Sequence, residues 1–174
     1  MKTNTKILVR RYLLWAAVLA VMIIIFVFSS KTAEQSSNSS GSFAKTLLSV
    51  VVPGFTELGE ETQQAAVDSI QFIVRKGAHF AVFLTLGALC QLAMNTYNIK
   101  LKRRVITALS ISFVYAVSDE VHQTFVPGRA GQIRDVMIDF AGALTGVALV
   151  CLLVWLCFKI RSKRGINFEK KSAN

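Results

Sequence analysis

The chain has 174 residues, a length typical of one domain, and 53% of them are hydrophobic, which is high for a soluble protein. Its formal net charge of +10 suggests an anionic partner, but the basic residues lie in short clusters beside apolar runs. No nucleic-acid recognition motif accompanies them. Composition therefore argues against a nucleic-acid-binding protein and favours an integral membrane protein.

Four apolar runs predict four transmembrane helices, because a membrane helix needs about 17–25 mostly apolar residues. The predicted helices cover about residues 12–28, 78–94, 104–120 and 136–160. The third has the shortest apolar stretch, and it spans only if the charges at its two ends sit at the membrane interfaces. We therefore expect an all-α membrane protein, a four-transmembrane-helix bundle with an extracellular interfacial segment.

The interfacial segment lies between the first two predicted spans. Residues 29–42 are rich in serine, which predicts a solvated loop. Residues 43–52 are apolar but too short to span, and Pro53-Gly54 should end them. Residues 62–75 carry apolar side chains at helical spacing, which predicts a helix that lies on the membrane or on the bundle.

The distribution of Lys and Arg predicts the orientation of the spans, since these residues accumulate on the cytoplasmic side. Four lie before the first span, four between the second and third, and six after the fourth, whereas the other segments hold six in all. Both termini are therefore predicted to be cytoplasmic, with residues 29–77 and 118–135 outside. All three cysteines, Cys90, Cys151 and Cys157, fall in predicted spans, so no disulfide is expected.

Polar clusters adjoin the predicted spans on this outer side. Ionisable residues at a membrane boundary are costly unless paired, so they indicate a functional site. The candidate catalytic residues are His79, Asp119, Glu120 and His122, and the candidate substrate- or anion-binding residues are Arg75, Lys76, Gln123, Arg129, Arg134, Asp135 and Asp139.

Two functional interpretations of these clusters are open. In the first, His79 or His122 is a general base, and a neighbouring basic residue holds an anion such as a lipid phosphate. In the second, the two histidines bind a divalent metal together with Asp119 and Glu120. Asp-Glu-x-His is not a known ligand spacing, so the sequence assigns no metal and no cofactor.

A third, structural interpretation is that opposite charges pair across helix ends and only hold the bundle together. Asp119 would then pair with Lys76 or Arg129. Glu120 would pair with Arg134 in the same way.

Small residues and one deep carboxylate predict close helix packing. Gly142-x-x-x-Gly146 has the small-xxx-small spacing that lets a neighbouring helix approach closely, and Gly77 suggests the same for the second span. Asp139 lies one turn below Asp135 on the last span, so its carboxylate should be paired or protonated.

Three longer motifs contain most of these residues. They are Arg75-Lys76-Gly77-Ala78-His79-Phe80, the run from Asp119 to Arg129 that ends in Pro-Gly-Arg, and Arg134-Asp135-x-x-x-Asp139-x-x-Gly142. They resemble the signatures of the VanZ-like family of bacterial integral membrane proteins. The resemblance covers about residues 29–146, and Phe83 departs from it where the family commonly has Tyr.

The resemblance implies that residues 1–174 are a single VanZ-like membrane domain, a small α-helical bundle of the bacterial cytoplasmic membrane. The founding member is associated with low-level resistance to the glycopeptide teicoplanin. The implied function is a polytopic envelope protein with an outward-facing polar site at headgroup level. A membrane enzyme acting on a lipid headgroup or lipid-linked cell-wall precursor is the alternative, and a proton-coupled transporter is a second. Expected partners are membrane lipids, a lipid-linked precursor or a glycopeptide, without nucleic acid.

The predicted orientation can be tested with single cysteines in a cysteine-free background. Ser39→Cys lies in a predicted outer segment, so it should react with a membrane-impermeant maleimide on intact cells. Asn98→Cys lies in a predicted cytoplasmic loop and should react only after the membrane is permeabilised. Labelling of Asn98→Cys but not Ser39→Cys on intact cells would invert the topology.

Overall fold

The computed structural model describes the backbone of residues 2–172 and the side chains of residues 5–162. Basic residues 2, 163, 164, 170 and 171, which contribute to the predicted orientation, therefore lie outside the described side chains. No strand occurs in the described part of the chain, which confirms the predicted all-α class. The elements are α1 (Lys2–Ser29), α2 (Ala33–Val51), a 3-10 turn (Phe55–Glu57), α3 (Glu60–Met94), α4 (Leu101–Gln123) and α5 (Ile133–Ser172).

Three of these helices are long and apolar enough to cross a membrane. The stretches are Thr5–Ser29 in α1, the whole of α3 (Glu60–Met94), and Ile133–Ser162 in α5. Helix α4 has 23 residues, but charges near both ends and several serines lower its hydropathy, and it does not meet the same criterion. The chain thus has three candidate spans, and the fourth stays a prediction.

Residues 33–42, expected as part of a solvated loop, are helical, so that expectation is wrong for them. A capping box starts α2: the Thr32 hydroxyl accepts from the Gln35 amide at 3.2 Å, and the Gln35 side chain accepts from the Thr32 amide at 3.2 Å. Ser39 and Ser40 donate to carbonyl groups of the preceding turn, which keeps their hydroxyls satisfied inside the helix. Gly54, with φ of 75°, lies in the turn that follows α2, as Pro53-Gly54 predicted.

Helix α2 folds back on the first half of α3 as a helical hairpin. Ala44, Phe55 and Val67 are buried between them, and the Gln71 side chain donates to the Ser37 carbonyl at 2.6 Å. Helix α3 joins the predicted helix at 62–75 to the predicted span at 78–94 without a break. At 1.5 Å per residue it is about 52 Å long, so an α3 that spans a bilayer would extend beyond its ~30 Å hydrocarbon core.

Close contact between α3 and α5 organises the bundle. A Cβ atom on Gly142 or Gly146 would collide with a backbone carbonyl of α3, and one on Gly87 would collide with the carbonyl of Ala143. The predicted small-residue contact at Gly142 and Gly146 is therefore confirmed. Gly77 has open space around its Cβ position, so the close packing expected there is wrong.

Helices α1, α3, α4 and α5 alternate in direction, which sorts the charged residues to two ends. At one end the Arg11 guanidinium of α1 donates to the Thr96 carbonyl at 2.9 Å and lies 3.9 Å from the centre of the Tyr97 ring. At the other end the Ser29 hydroxyl of α1 donates to Asp119 of α4. The basic start of α1 and the basic 100–104 segment thus share one end, and the polar motifs share the other.

The glycine contact predicts a difference between two Gly→Ala substitutions. Gly146→Ala should lower the free energy of unfolding by about 1–3 kcal/mol, because the helix backbones must move apart. Gly77→Ala should raise it by about 0.5–1 kcal/mol, since its site is open and alanine is the better helix former. Circular dichroism of the solubilised protein during titration with sodium dodecyl sulfate measures both. Equal stability of the two variants would contradict the packing.

Candidate functional site

Three helices bring one ionisable side chain each to the same point. His79 of α3, Asp119 of α4 and Asp139 of α5 each present a nitrogen or oxygen atom, and these atoms all lie within 4.8 Å of one another. We call these three residues the trio. Their proximity brings the three polar motifs to which they belong together at one point of the structure.

Asp139 is the most deeply buried member of the trio. Its side chain is 1% exposed, and its nearest charged neighbour is His79, whose Nδ1 lies 3.7 Å from Oδ1. That distance exceeds a hydrogen bond, and neither carboxylate oxygen has a hydrogen-bond partner among the described residues. A buried carboxylate without a donor is costly to the fold, so Asp139 points to a function rather than to stability.

Asp119 is held by two neutral donors. The Ser29 hydroxyl and the Gln123 side-chain amide both donate to its Oδ2, each at 2.9 Å. Ser29 was not among the predicted site residues, although it lies in the Phe28-Ser29-Ser30 stretch at the end of the first apolar run. Its fully buried hydroxyl fixes the end of α1 against α4, so the orientation of Asp119 depends on both helices.

Arg129 reaches the same network from the loop after α4. Its Nη1 donates to the Gln123 side-chain oxygen at 2.9 Å, so the guanidinium, the amide and Asp119 form one hydrogen-bonded chain. Burial, followed by the nearby charge of Arg75, lowers the pKa of Arg129, while Asp119 and Glu120 oppose this change. The group remains a cation, because arginine does not lose its proton in proteins.

The charge pairs at this end differ from the expected ones. Lys76 forms a hydrogen-bonded ion pair with Asp135 of α5, both partly buried, and does not pair with Asp119. The α3–α5 contact explains this, because it sets Lys76 opposite the first turn of α5. Arg134 lies 5.1 Å from the centre of the Phe72 ring instead of pairing with Glu120. The pairings expected for Lys76 with Asp119 and for Arg134 with Glu120 are therefore wrong, and Arg129 is linked to Asp119 through Gln123.

Glu120 and His122 hold neighbouring elements together. Oε1 of Glu120 accepts from the Gln132 backbone amide at 2.6 Å, which ties the loop before α5 to α4. Nε2 of His122 lies 3.1 Å from the Ser30 hydroxyl, and its ring centre lies 4.6 Å from that of Phe26. His122 thus packs on α1, outside the trio.

A cavity of about 610 Å³ opens beside the trio, between the end of α1, helix α2 and the middle of α3. His79, Ser29 and Gly77 lie on its wall, and a Cβ atom on Gly77 would meet no atom of another element within 4 Å. Three cations also line it: Lys31, Arg75 and Arg129. The apolar part of the wall includes Ile25, Phe28, Phe43, Leu47, Ile73 and Val82.

Comparison with known proteins supports one assignment. A family model described as VanZ/LLP1 matches residues 14–155, which include the trio and all three polar motifs. No curated protein and no solved structure matches the chain. The matched region also contains α2, so the hairpin that bounds the cavity lies within the family domain.

The ion pair between Lys76 and Asp135 can be measured with a double-mutant cycle. Lys76→Met and Asp135→Asn should each lower the free energy of unfolding by about 1.5–3 kcal/mol, because each leaves a half-buried group without its partner. The double variant should show a coupling of about 0.5–3 kcal/mol. Lys76→Met combined with Asp68→Asn, an exposed carboxylate on the same helix, is the additive control. Additivity at Lys76 and Asp135 would contradict the pairing.

Proposed function

Because the chain belongs to the VanZ/LLP1 family, we propose that it is a membrane-envelope protein that binds a phosphate-bearing lipid or lipid-linked molecule. The cavity beside His79 is the binding site. The observation that carries this proposal is the composition of the cavity, which combines an apolar wall with Lys31, Arg75 and Arg129. Such a wall suits an acyl or prenyl chain, and the cations suit an anionic headgroup.

The size of the cavity fits part of such a molecule. Binding pockets for small ligands are usually about 300–1,000 Å³, and this one, at about 610 Å³, holds a headgroup with the first segment of a chain. The rest of the chain would lie along the exposed apolar faces of α1 and α2. Phe28 and Phe43 join the cavity to those faces, since both line it and both are exposed.

Helix α4 supports a membrane position for the whole bundle and a fourth span. From Val105 onward most of its exposed side chains are apolar, with Ser110 and Ser118 as the polar exceptions, whereas Ser112, Asp119 and Gln123 are buried. This inside-out arrangement is that of a helix facing lipid rather than water. The large exposed apolar residues on α4 are Leu101, Ile106, Phe113, Val114, Val117 and Val121.

With the orientation that the basic residues predict, the cavity and the trio would lie at the outer headgroup level. Lipid-linked cell-wall precursor is exposed there, and a glycopeptide with a lipid tail, such as teicoplanin, would meet it there. A protein that binds or alters a headgroup in this zone would change the access of the antibiotic. We propose this as the link to low-level teicoplanin resistance that the family resemblance suggests.

An enzyme acting on the headgroup is the second candidate function. His79 favours it, because this residue lies on the cavity wall and beside two carboxylates, where it could accept a proton from a bound substrate. A proton-coupled transporter is less well supported. It needs polar groups through the depth of the bundle, whereas Phe83, Leu86 and Val147 fill the core next to the trio.

Blocking the cavity without disturbing the bundle tests the binding proposal. Gly77→Leu should fill the cavity and lower the affinity for short-chain phosphatidylglycerol, measured by native mass spectrometry, by at least about tenfold. Gly77→Ala is the matched control and should bind normally. Arg129→Gln should lower affinity by a similar factor, since a charge-assisted hydrogen bond contributes about 1.5–3 kcal/mol.

A cellular measurement links this binding to the proposed role. Expression of the unmodified protein should raise the minimal inhibitory concentration of teicoplanin, and Gly77→Leu at equal membrane abundance should not. Unchanged phosphatidylglycerol binding by Gly77→Leu would remove the cavity as the lipid site. Normal tolerance in a variant that no longer binds the lipid would separate resistance from the cavity.

A further inference from the structure

The trio contains one buried carboxylate, that of Asp139, to which no described group donates a hydrogen bond. Asp139 is 99% buried, neither of its oxygens has a hydrogen-bond partner among the described residues, and its nearest charged group is His79 at 3.7 Å. Asp119, itself only 3% exposed, has a carboxylate oxygen within 4.8 Å of the ligand atoms of both residues. Two buried carboxylates that converge on one imidazole repel each other unless a positive charge lies between them.

We propose that His79, Asp119 and Asp139 bind one divalent transition-metal ion, for which zinc is the best match. Neutral imidazole nitrogen and carboxylate oxygen are ligands that zinc accepts, at bond lengths of about 2.0–2.2 Å. Atoms bound to one tetrahedral zinc lie about 3.3 Å apart, as these bond lengths require. The three ligand atoms are already within 4.8 Å of one another, so small side-chain rotations bring them to bonding distance.

The charges around the trio fit a divalent cation. Two carboxylates balance its charge, which removes the cost of burying either of them alone. Lys76, the lysine of α3, forms its ion pair with Asp135 and not with a carboxylate of the trio. Arg129 is directed to the Gln123 amide, one hydrogen bond away from Asp119.

Asp119 is oriented by hydrogen bonds from residues outside the trio. Ser29 and Gln123 both donate to Oδ2 of Asp119, which holds the carboxylate in place. Outer-shell partners of this kind orient metal ligands in proteins. Ser29 and Gln123 are therefore positioning residues for the ion.

The arrangement leaves one coordination position free. Three protein ligands and one open position are typical of zinc sites that bind a substrate or a water molecule. His79 and Ser29 lie on the wall of the cavity, so an ion held by His79 would lie beside it. An anionic oxygen bound in the cavity would complete the coordination.

Metal content gives the first test, made on the full chain purified in detergent from zinc-replete cells. Inductively coupled plasma mass spectrometry should find about one zinc ion per chain. His79→Gln, Asp119→Asn and Asp139→Asn should reduce zinc content by at least about tenfold. His122→Gln and Asp68→Asn remove the same kinds of group outside the trio, and both should retain the ion.

Two further measurements keep the test valid if a variant folds poorly. Added Zn²⁺ should raise the melting temperature of the stripped unmodified protein and leave that of Asp139→Asn unchanged. In the stripped state Asp139→Asn should be the more stable of the two, because it removes an unpartnered carboxylate. His79→Cys loaded with Co²⁺ should show a near-ultraviolet thiolate-to-cobalt absorption band that the Co²⁺-loaded unmodified protein lacks.

These outcomes are independent of what occupies the cavity, because every measurement is made without added lipid. An unmodified protein that neither contains zinc nor binds added Zn²⁺ would overturn the proposal, whatever the lipid-binding result. Retention of zinc by His79→Gln and Asp139→Asn would overturn it as well. Zinc binding together with failure to bind phosphatidylglycerol would leave the metal site standing and remove the proposed lipid.

Discussion

The backbone contact between α3 and α5 is the constraint on which the rest of the structure depends. Gly142 and Gly146 leave no room for a side chain, so α5 lies directly on the carbonyl groups of α3. This fixes the register of the two helices. One consequence is the pair of Lys76 with Asp135, and another is the approach of His79 to Asp139, one turn deeper on each helix. A larger residue at either glycine would shift both pairs together.

The second organising feature is that several polar groups are buried between the helices while many large apolar side chains are exposed on their outer faces. In water this distribution would expose large apolar faces such as that of α4, which includes Val114 at 66% exposure. In a bilayer the same faces are solvated, and the polar groups gain by converging. Ser29 and Asp119 meet for this reason, as do Glu120 and the start of α5. Asp139 is the exception, since it converges on the others without a donor of its own.

The α2–α3 hairpin turns this polar cluster into a site with a cavity. Helix α2 and the middle of α3 border the cavity together, and α2 supplies Phe43 to its apolar wall. A hydrogen bond from the Gln71 side chain to the Ser37 carbonyl joins the two helices of the hairpin. A second hydrogen bond, from the Ala33 amide to the Pro127 carbonyl, attaches the start of α2 to the loop after α4. The motif after α4 therefore supports the cover of the cavity as well as contributing Arg129.

The sequence by itself determined the helical class, three apolar stretches, the break at Pro53-Gly54 and the meeting of the polar motifs at one end, because these depend on local composition and on chain direction. It also contained the capping signal of α2, Thr32-x-x-Gln35, although the serines that follow led to the prediction of a solvated loop. The partners of each charge were decided only by the tertiary structure. Pairing depends on the rotation and register of packed helices, which local spacing does not encode. Asp139 shows this most clearly: its depth was evident from the sequence, but its convergence with His79 and Asp119 required three helices to pack.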